Sequence, residues 1–310
     1  MLFLLCLLAA LAVVHAELLP ATRPASPMPM LEHQALLAAL VALVALAVVR
    51  LAPRLPAIQH AVTPDLRPAI PLAFGLIVFP ALADHFAAHV LPAYTRLALS
   101  TMAPLFTIVF LPYVPSHQPS AADHTTSSPG SALFAALAAL AGAFLLFPTQ
   151  LPSSWTQAGA WLLLLLASAG LGASNCLAPH IVQPRQWDST AALTAAIATI
   201  TLAASSALLE HPIPPSLSEL TSLAALGLPA MLLLFWLFAR LGPTQLASRA
   251  LFTPLLAVLL GLAAFRPALD LQFLFALLLL AAAALYLLLA RSQPQHPNTL
   301  SLRDSTPHKP

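Results

Sequence analysis

Charged residues are scarce in this chain of 310 residues, of which only 7% are Asp, Glu, Lys or Arg. Soluble domains carry about a quarter charged residues, so the composition excludes an ordinary soluble domain. A net charge of +2 gives no basic patch for nucleic-acid binding. Cysteine is also scarce, because only Cys6 and Cys176 are present and both lie in apolar segments. This excludes a disulfide framework and a cysteine metal knuckle.

Hydrophobic residues are abundant, at 60% of the chain. The runs from Gln245 to Phe265 and from Leu271 to Ala290 each hold about 20 residues, enough to cross a hydrocarbon core of about 30 Å as helices. The chain is therefore predicted to be an integral membrane protein whose surroundings are the lipid bilayer.

Apolar runs alternate with short polar or Pro-rich breaks and predict an all-α membrane protein of ten transmembrane helices. These helices are expected at about residues 2–16, 34–51, 69–90, 92–112, 131–148, 158–180, 190–209, 221–240, 244–265 and 269–290. The segment 2–16 is short and ends in His15-Ala16, but it lacks a positive leading region. We favour a first helix there over a signal peptide.

Two polar segments lie outside the predicted bundle. Residues 113–130 are rich in Pro and Ser and predict a flexible loop, and residues 291–310 predict a disordered cytoplasmic tail. The chain then divides into a first five-helix half at 1–148 and a second at 158–290.

The stretch around the ninth helix has a recognisable pattern of residues. It begins with Leu241-Gly242, carries Pro254 in mid-helix and Gly261 later, and breaks at Arg266-Pro267. It resembles the C-terminal helix pair of the EamA domain of the drug/metabolite transporter superfamily. The stretch 91–110 resembles the same region of the first EamA repeat, and the two stretches align without a gap at an offset of 150 positions.

This resemblance implies two five-helix repeats inserted in opposite orientations. It also implies a permease of the bacterial inner membrane that moves a small organic solute (a metabolite, an amino acid or a drug-like molecule) by alternating access, and we expect outward transport. The resemblance does not name the substrate or the coupling ion. It also leaves open whether the chain forms homo-oligomers.

The distribution of Lys and Arg predicts the orientation, since these residues accumulate in cytoplasmic loops. With both termini inside, nine of them lie on the inner side and three, Arg23, Arg96 and Arg266, on the outer side. The termini are therefore expected to be cytoplasmic.

Polar residues at membrane depth are costly and usually face the bundle interior or a water-filled path. We select as substrate-cavity candidates those of the fourth, sixth, eighth and ninth helices, together with neighbouring prolines and aromatics: Ser100, Pro104, Thr107, Asn175, Phe235, Trp236, Gln245, Ser248, Phe252 and Thr253. The alternative is that the prolines form packing kinks with hydroxyls bonded to the preceding turn, that Asn175 lies at a hydrated helix end, and that the aromatics fill the core.

The charged candidates are Asp84, His85, His89, Arg96 and Arg249. The two arginines stand in the first turns of their helices, where a cation opposes the helix dipole, so they either pair with an anionic substrate group or reach the surface. The two histidines share a helix face, but no third metal ligand accompanies them. A proton relay and a hydrated helix end are the alternatives.

No catalytic triad, P-loop or carboxylate pair appears within a predicted span. We therefore expect a transporter without a cofactor or metal rather than an enzyme. Two alternatives are kept. One is a membrane-embedded enzyme or lipid-handling protein that uses Asp84, His85 and His89. The other is a homologue that has lost transport, to which the altered break at Arg266 points.

Overall fold

A computed structural model describes residues 7–8, 29–51, 66–114, 129–147, 149, 151–182, 187–211, 213–265 and 270–289. These residues are helical apart from short connections and contain no strand. The helices are α1 Met30–Leu51, α2 Leu66–Ala88, α3 Ala93–Tyr113, α4 Pro129–Leu146, α5 Trp155–Ile181, α6 Trp187–Leu209, α7 Leu217–Phe238, α8 Pro243–Phe265 and α9 Leu271–Leu289. Most of the predicted first helix at 2–16, residues 115–128 of the predicted loop, and the tail at 291–310 lie outside the described residues.

Seven of these helices are long and apolar enough to cross a membrane, namely α1, α2, α3, α5, α6, α7 and α9. Helix α4 is a shorter apolar helix. The absence of water from a bilayer core favours helices, because each helix satisfies its own backbone hydrogen bonds. The chain is a multi-pass membrane protein, and the predicted all-α class is confirmed.

Helices α2 and α7 each contain one wide turn directly before a proline. The π-helical segments are Phe74–Val78 and Leu223–Gly227, and the dipeptides Phe79-Pro80 and Leu228-Pro229 follow them. A proline clashes with the carbonyl four residues back, and the extra residue of a π turn gives it room. Both helices then end in a short turn that leads into the next helix.

Proline has different effects in α3 and α8. Helix α3 is interrupted between Ser100 and Ala103, where Thr101 and Met102 bond to carbonyls only three residues back. Pro104 has no N–H for the Ser100 carbonyl, which explains the interruption. Helix α8 continues through Pro254 as one helix. The predicted proline kink therefore corresponds to a break in α3, whereas α8 has no such break.

The most extensive contacts join α1 to α6 and α4 to α9. Both pairs are antiparallel. The first amides of α1 bond to Glu210 at the end of α6. Tyr286 Oη lies 2.5 Å from Ser131 Oγ, and Gln272 Nε2 donates to the Leu145 carbonyl at 3.4 Å, so opposite ends of α4 and α9 meet.

Helix α5 approaches α2 and α3 closely because glycines stand at the crossings. A Cβ on Gly172 would lie 2.7 Å from Phe106 Cβ and 2.8 Å from the Thr107 amide nitrogen. A Cβ on Gly75 would meet the Gly170 carbonyl oxygen at 2.9 Å. Small residues thus allow backbone contact between these helices.

Replacing Gly172 with alanine should lower the free energy of unfolding by about 1–3 kcal/mol, because the new methyl group overlaps α3 backbone. The matched control is Gly159→Ala near the start of α5, where nothing lies within 4 Å of the added Cβ. This control should leave stability unchanged or raise it. The measurement is unfolding in detergent, and equal stability of the two variants would contradict the crossing.

Candidate functional site

A buried polar cluster lies where α3 meets α5, and we call Thr107, Asn175 and Cys176 the α3–α5 node. Asn175 Nδ2 donates to Thr107 Oγ1 at 3.2 Å, and Thr107 Oγ1 donates to the Ala103 carbonyl at 2.9 Å. The Cys176 thiol donates to the Thr107 carbonyl at 3.3 Å. Thr107 is 0% exposed and Asn175 is 1% exposed. The node therefore joins the two helices deep in the bundle.

The node contains one hydrogen-bond acceptor that the protein does not satisfy. Asn175 Oδ1 is buried and has no partner among the described residues. Buried polar atoms are nearly always paired with protein or ordered water, and an unpaired one calls for an explanation. A water molecule or an N–H or O–H group of a solute would satisfy Asn175 Oδ1.

Other predicted cavity hydroxyls bond within their own helices. Ser100 Oγ donates to the Leu97 carbonyl at 2.7 Å, and Ser248 Oγ donates to the Gln245 carbonyl at the same distance. Thr253 Oγ1 donates to the carbonyl of Arg249 at 3.4 Å. These bonds match the packing alternative, in which each hydroxyl bonds to the preceding turn. The structure thus brings Thr107 and Asn175 together, while Ser100, Ser248 and Thr253 bond back to their own helices.

The predicted aromatic residues and Gln245 of α8 differ in their surroundings. Phe235 is 0% exposed, and Phe252 packs against both the apolar core around Phe235 and the one formed by α4 and α9. Trp236 lies under the guanidinium of Arg240, whose Cζ is 4.2 Å from the ring centroid. Gln245 Nε2 donates to the Leu288 carbonyl at 3.2 Å, which fastens α8 to α9. Phe235 and Phe252 are therefore core aromatics, and Phe252 connects the two cores.

The charged candidates of α2 already have partners in the chain. Arg96 Nη1 donates to Asp84 Oδ1, so α2 and α3 are joined by an ion pair. His85 Nδ1 lies 3.2 Å from Glu210 Oε1, and the rings of His85 and His89 stand edge to face at 5.3 Å. Within the described ranges, no group of three or more His, Cys, Asp or Glu residues could hold a metal ion.

Glu210 is the functional candidate that the sequence analysis missed. Its carboxylate accepts hydrogen bonds from the amides of Leu31 and Glu32 at 3.0 and 3.1 Å and from Ser206 Oγ at 2.9 Å. An acidic side chain suits a helix N-terminus, where free amides and the helix dipole favour negative charge. These contacts join residues almost 180 positions apart, so only the antiparallel pairing of α1 and α6 reveals them.

Arg249 differs from Arg96 in its surroundings, although the sequence places both in the first turns of a helix. Its Cζ lies 5.3 Å from the centroid of the Phe238 ring, a cation–π distance. Its contact in the described residues is with this aromatic ring rather than with a carboxylate. Of the two arginines, Arg249 is thus the one that could pair with an anionic solute.

The charges of the described residues separate between the two ends of the bundle. Where the connection is short, successive helices run antiparallel. The contacts of Glu210 with Leu31 and His85, and of Tyr286 with Ser131, place the ends of the remaining helices. One end, which we call the acidic end, carries Glu32, Asp84, Glu210, Glu219 and Asp270, with Arg96. The opposite end, the basic end, carries Arg50, Arg67, Arg240 and Arg249, with Asp188.

Replacing Thr107 with valine keeps the branched shape but removes the hydroxyl that accepts from Asn175. Both polar atoms of the amide would then be buried without protein partners, and we expect a loss of about 1–3 kcal/mol of stability. The matched control is Thr199→Val in α6, whose hydroxyl donates only to the Ala195 carbonyl. Denaturant unfolding in micelles measures both, and equal losses would show that the node contributes nothing beyond an intrahelical bond.

Comparison with known proteins shows a shared fold. No family model and no curated protein matches the sequence. A solved crystal structure superposes on the chain with a TM-score of 0.68, covering 93% of this chain and 96% of that chain at 17% sequence identity. The chain thus shares its fold over nearly its whole length with an experimentally determined protein.

Proposed function

We propose that this chain is a transporter that moves a small organic solute across a membrane by alternating access. We further propose that it belongs to the EamA-domain permeases of the drug/metabolite transporter superfamily. The observation that carries this proposal is the antiparallel pairing of helices that hold matching places in the two halves of the chain.

The matching places follow from local structure. The two π turns begin at Phe74 and Leu223, which are 149 positions apart, and the prolines Pro80 and Pro229 keep the same spacing. The helices that follow begin at Ala93 and Pro243, 150 positions apart. The offset of 150 in the sequence therefore has a counterpart in the order of wide turn, proline, short turn and next helix.

On this correspondence, α1 matches α6 and α4 matches α9. These are the two pairs with the most extensive contacts, and each pair is antiparallel. Partners of opposite direction are what inverted repeats require, since the two-fold axis lies in the membrane plane. The pairing supports two inverted repeats, for which we propose ten helices in all; the segment 2–16, predicted as the first of them, lies mostly outside the described residues.

The solute site that we propose lies around the α3–α5 node, between the two halves. Asn175 Oδ1 offers an unmatched acceptor, and Phe252 connects the neighbouring apolar cores. Such surroundings suit an amphipathic solute with an N–H or O–H donor. The P-loop signature is missing from the sequence, so we propose that an ion gradient or the gradient of the solute drives transport.

We place the chain in the bacterial inner membrane with both termini in the cytoplasm. The separation of charge supports this orientation, since basic residues accumulate on the cytoplasmic side. The basic end would then face the cytoplasm and the acidic end the outside.

The orientation can be tested with two exposed histidines at opposite ends, His211 after α6 and His180 in the last turn of α5. After replacement of the native cysteines, His211→Cys should react with an impermeant maleimide added to intact cells. His180→Cys should react only after the cells are permeabilised. The reverse pattern would refute the orientation.

Transport can be tested by profiling a panel of amino acids, metabolites and amphipathic drugs in cells that lack or overproduce the protein. A solute that responds is then measured in proteoliposomes. Asn175→Leu should lower its flux at least about tenfold, since a donor group would lose its acceptor, whereas Gly159→Ala should retain it. If the purified protein carries no panel solute that responded in cells, the transport proposal fails.

A further inference from the structure

We propose that the contact between His85 and Glu210 is a proton-binding site that closes the acidic end of the bundle. We call His85, Ser206, Glu210 and the first amides of α1 the Glu210 cluster. In this inference the ligand is a proton. Its role as a gate for a solute rests on the transport function proposed above, but its effect on the helix ends does not.

The Glu210 cluster joins three helices through one carboxylate. Oε1 accepts from the Leu31 amide and lies 3.2 Å from His85 Nδ1. Oε2 accepts from the Glu32 amide and from Ser206 Oγ. The side chains of His85 and Glu210 are only 13% and 7% exposed. The end of α6 is thereby attached to the start of α1 and to the last turns of α2.

The Glu210 carboxylate faces three hydrogen-bond donors from α1 and α6. Both oxygens already receive hydrogen bonds, and protonation would turn one of them into a donor facing other donors. Histidine, by contrast, ordinarily changes charge between about pH 5 and 8. A protonated His85 therefore makes a charge-assisted hydrogen bond to Glu210, and a neutral His85 makes a weaker one or none.

Other titratable groups lie around His85 and Glu210, and most of them have partners of their own. Asp84 on α2 is neutralised by Arg96 of α3, and His89 is exposed one turn beyond His85. Glu32 of α1 accepts from the Ile213 amide at 3.2 Å, and Glu219 of α7 takes part in its own capping box with Ser216. The remaining groups nearby are His33 of α1 and His211 after α6.

The proton site makes the contacts at the acidic end weaker as the pH rises. Protonation of His85 strengthens the junction of α1, α2 and α6, and loss of the proton weakens it. If the acidic end faces outward, an acidic exterior would keep the outer side closed. Deprotonation would release the end of α2, which also packs against α1, from this junction.

The test measures access to Ala35, which is 6% exposed and stands one turn below Leu31 in α1. The full chain, with Cys6→Ala, Cys176→Ala and Ala35→Cys, is placed in lipid nanodiscs and treated with an impermeant maleimide. Each rate is divided by that of the unfolded protein at the same pH, which removes the ionisation of the thiol itself. We expect this ratio to rise about fivefold from about pH 6 to about pH 8.5.

Three variants identify the group that responds. His85→Gln and Glu210→Gln should each abolish the dependence of the ratio on pH, and His89→Gln, the matched control, should retain it. Size-exclusion chromatography shows which variants fold. A ratio that is flat in the native cluster, or a rise that persists in His85→Gln, would overturn the proposal.

The labelling requires no solute, so its outcome is separate from that of the transport test. A labelling ratio that does not change with pH, together with solute flux in proteoliposomes, would refute the proton site and support the transport function. A ratio that rises without any flux would retain the proton site and remove the transporter.

Discussion

The structure depends on one constraint, which is that backbone N–H and C=O groups have no water to bond with inside a bilayer. This is why the described chain is helical, and it is also why its prolines matter. Each proline removes an N–H, and the chain responds with a π turn before Pro80 and Pro229, an interruption before Pro104, or an unbroken helix through Pro254. The same constraint makes an unpaired group such as Asn175 Oδ1 conspicuous.

The membrane class and most helix positions could be predicted from the sequence, because hydropathy and helix length are local properties. The predicted spans at 69–90 and 92–112 match α2 and α3 within a few residues. Thr107 and Asn175 were both selected from the sequence as polar groups at membrane depth. Their hydrogen bond to each other was not predicted. Sequence indicated which residues need partners, and only the packing of α3 on α5 shows which partners they have.

Glu210 could not be found in this way. It stands directly after α6 beside His211, where an acidic residue is ordinary, and its partners lie far away at Leu31, Glu32 and His85. The partners of Arg96 and Arg249 lie much nearer in the sequence, at Asp84 and Phe238, and the sequence analysis did not pair them either. Both arginines stand near the start of a helix, yet one pairs with a carboxylate and the other lies against an aromatic ring. The packing of the helices therefore determines the electrostatics of this bundle.

The wide turns in α2 and α7 also change the directions in which the later side chains of these helices point. A π turn inserts one extra residue, and each residue advances an α-helix by about 100°. Side chains after Val78 and Gly227 therefore point in directions that a continuous α-helical wheel drawn from Leu66 or Leu217 would assign wrongly. His85 faces α6 in a register that only the added residue provides, so deleting one residue before Pro80 would turn this imidazole away from its carboxylate.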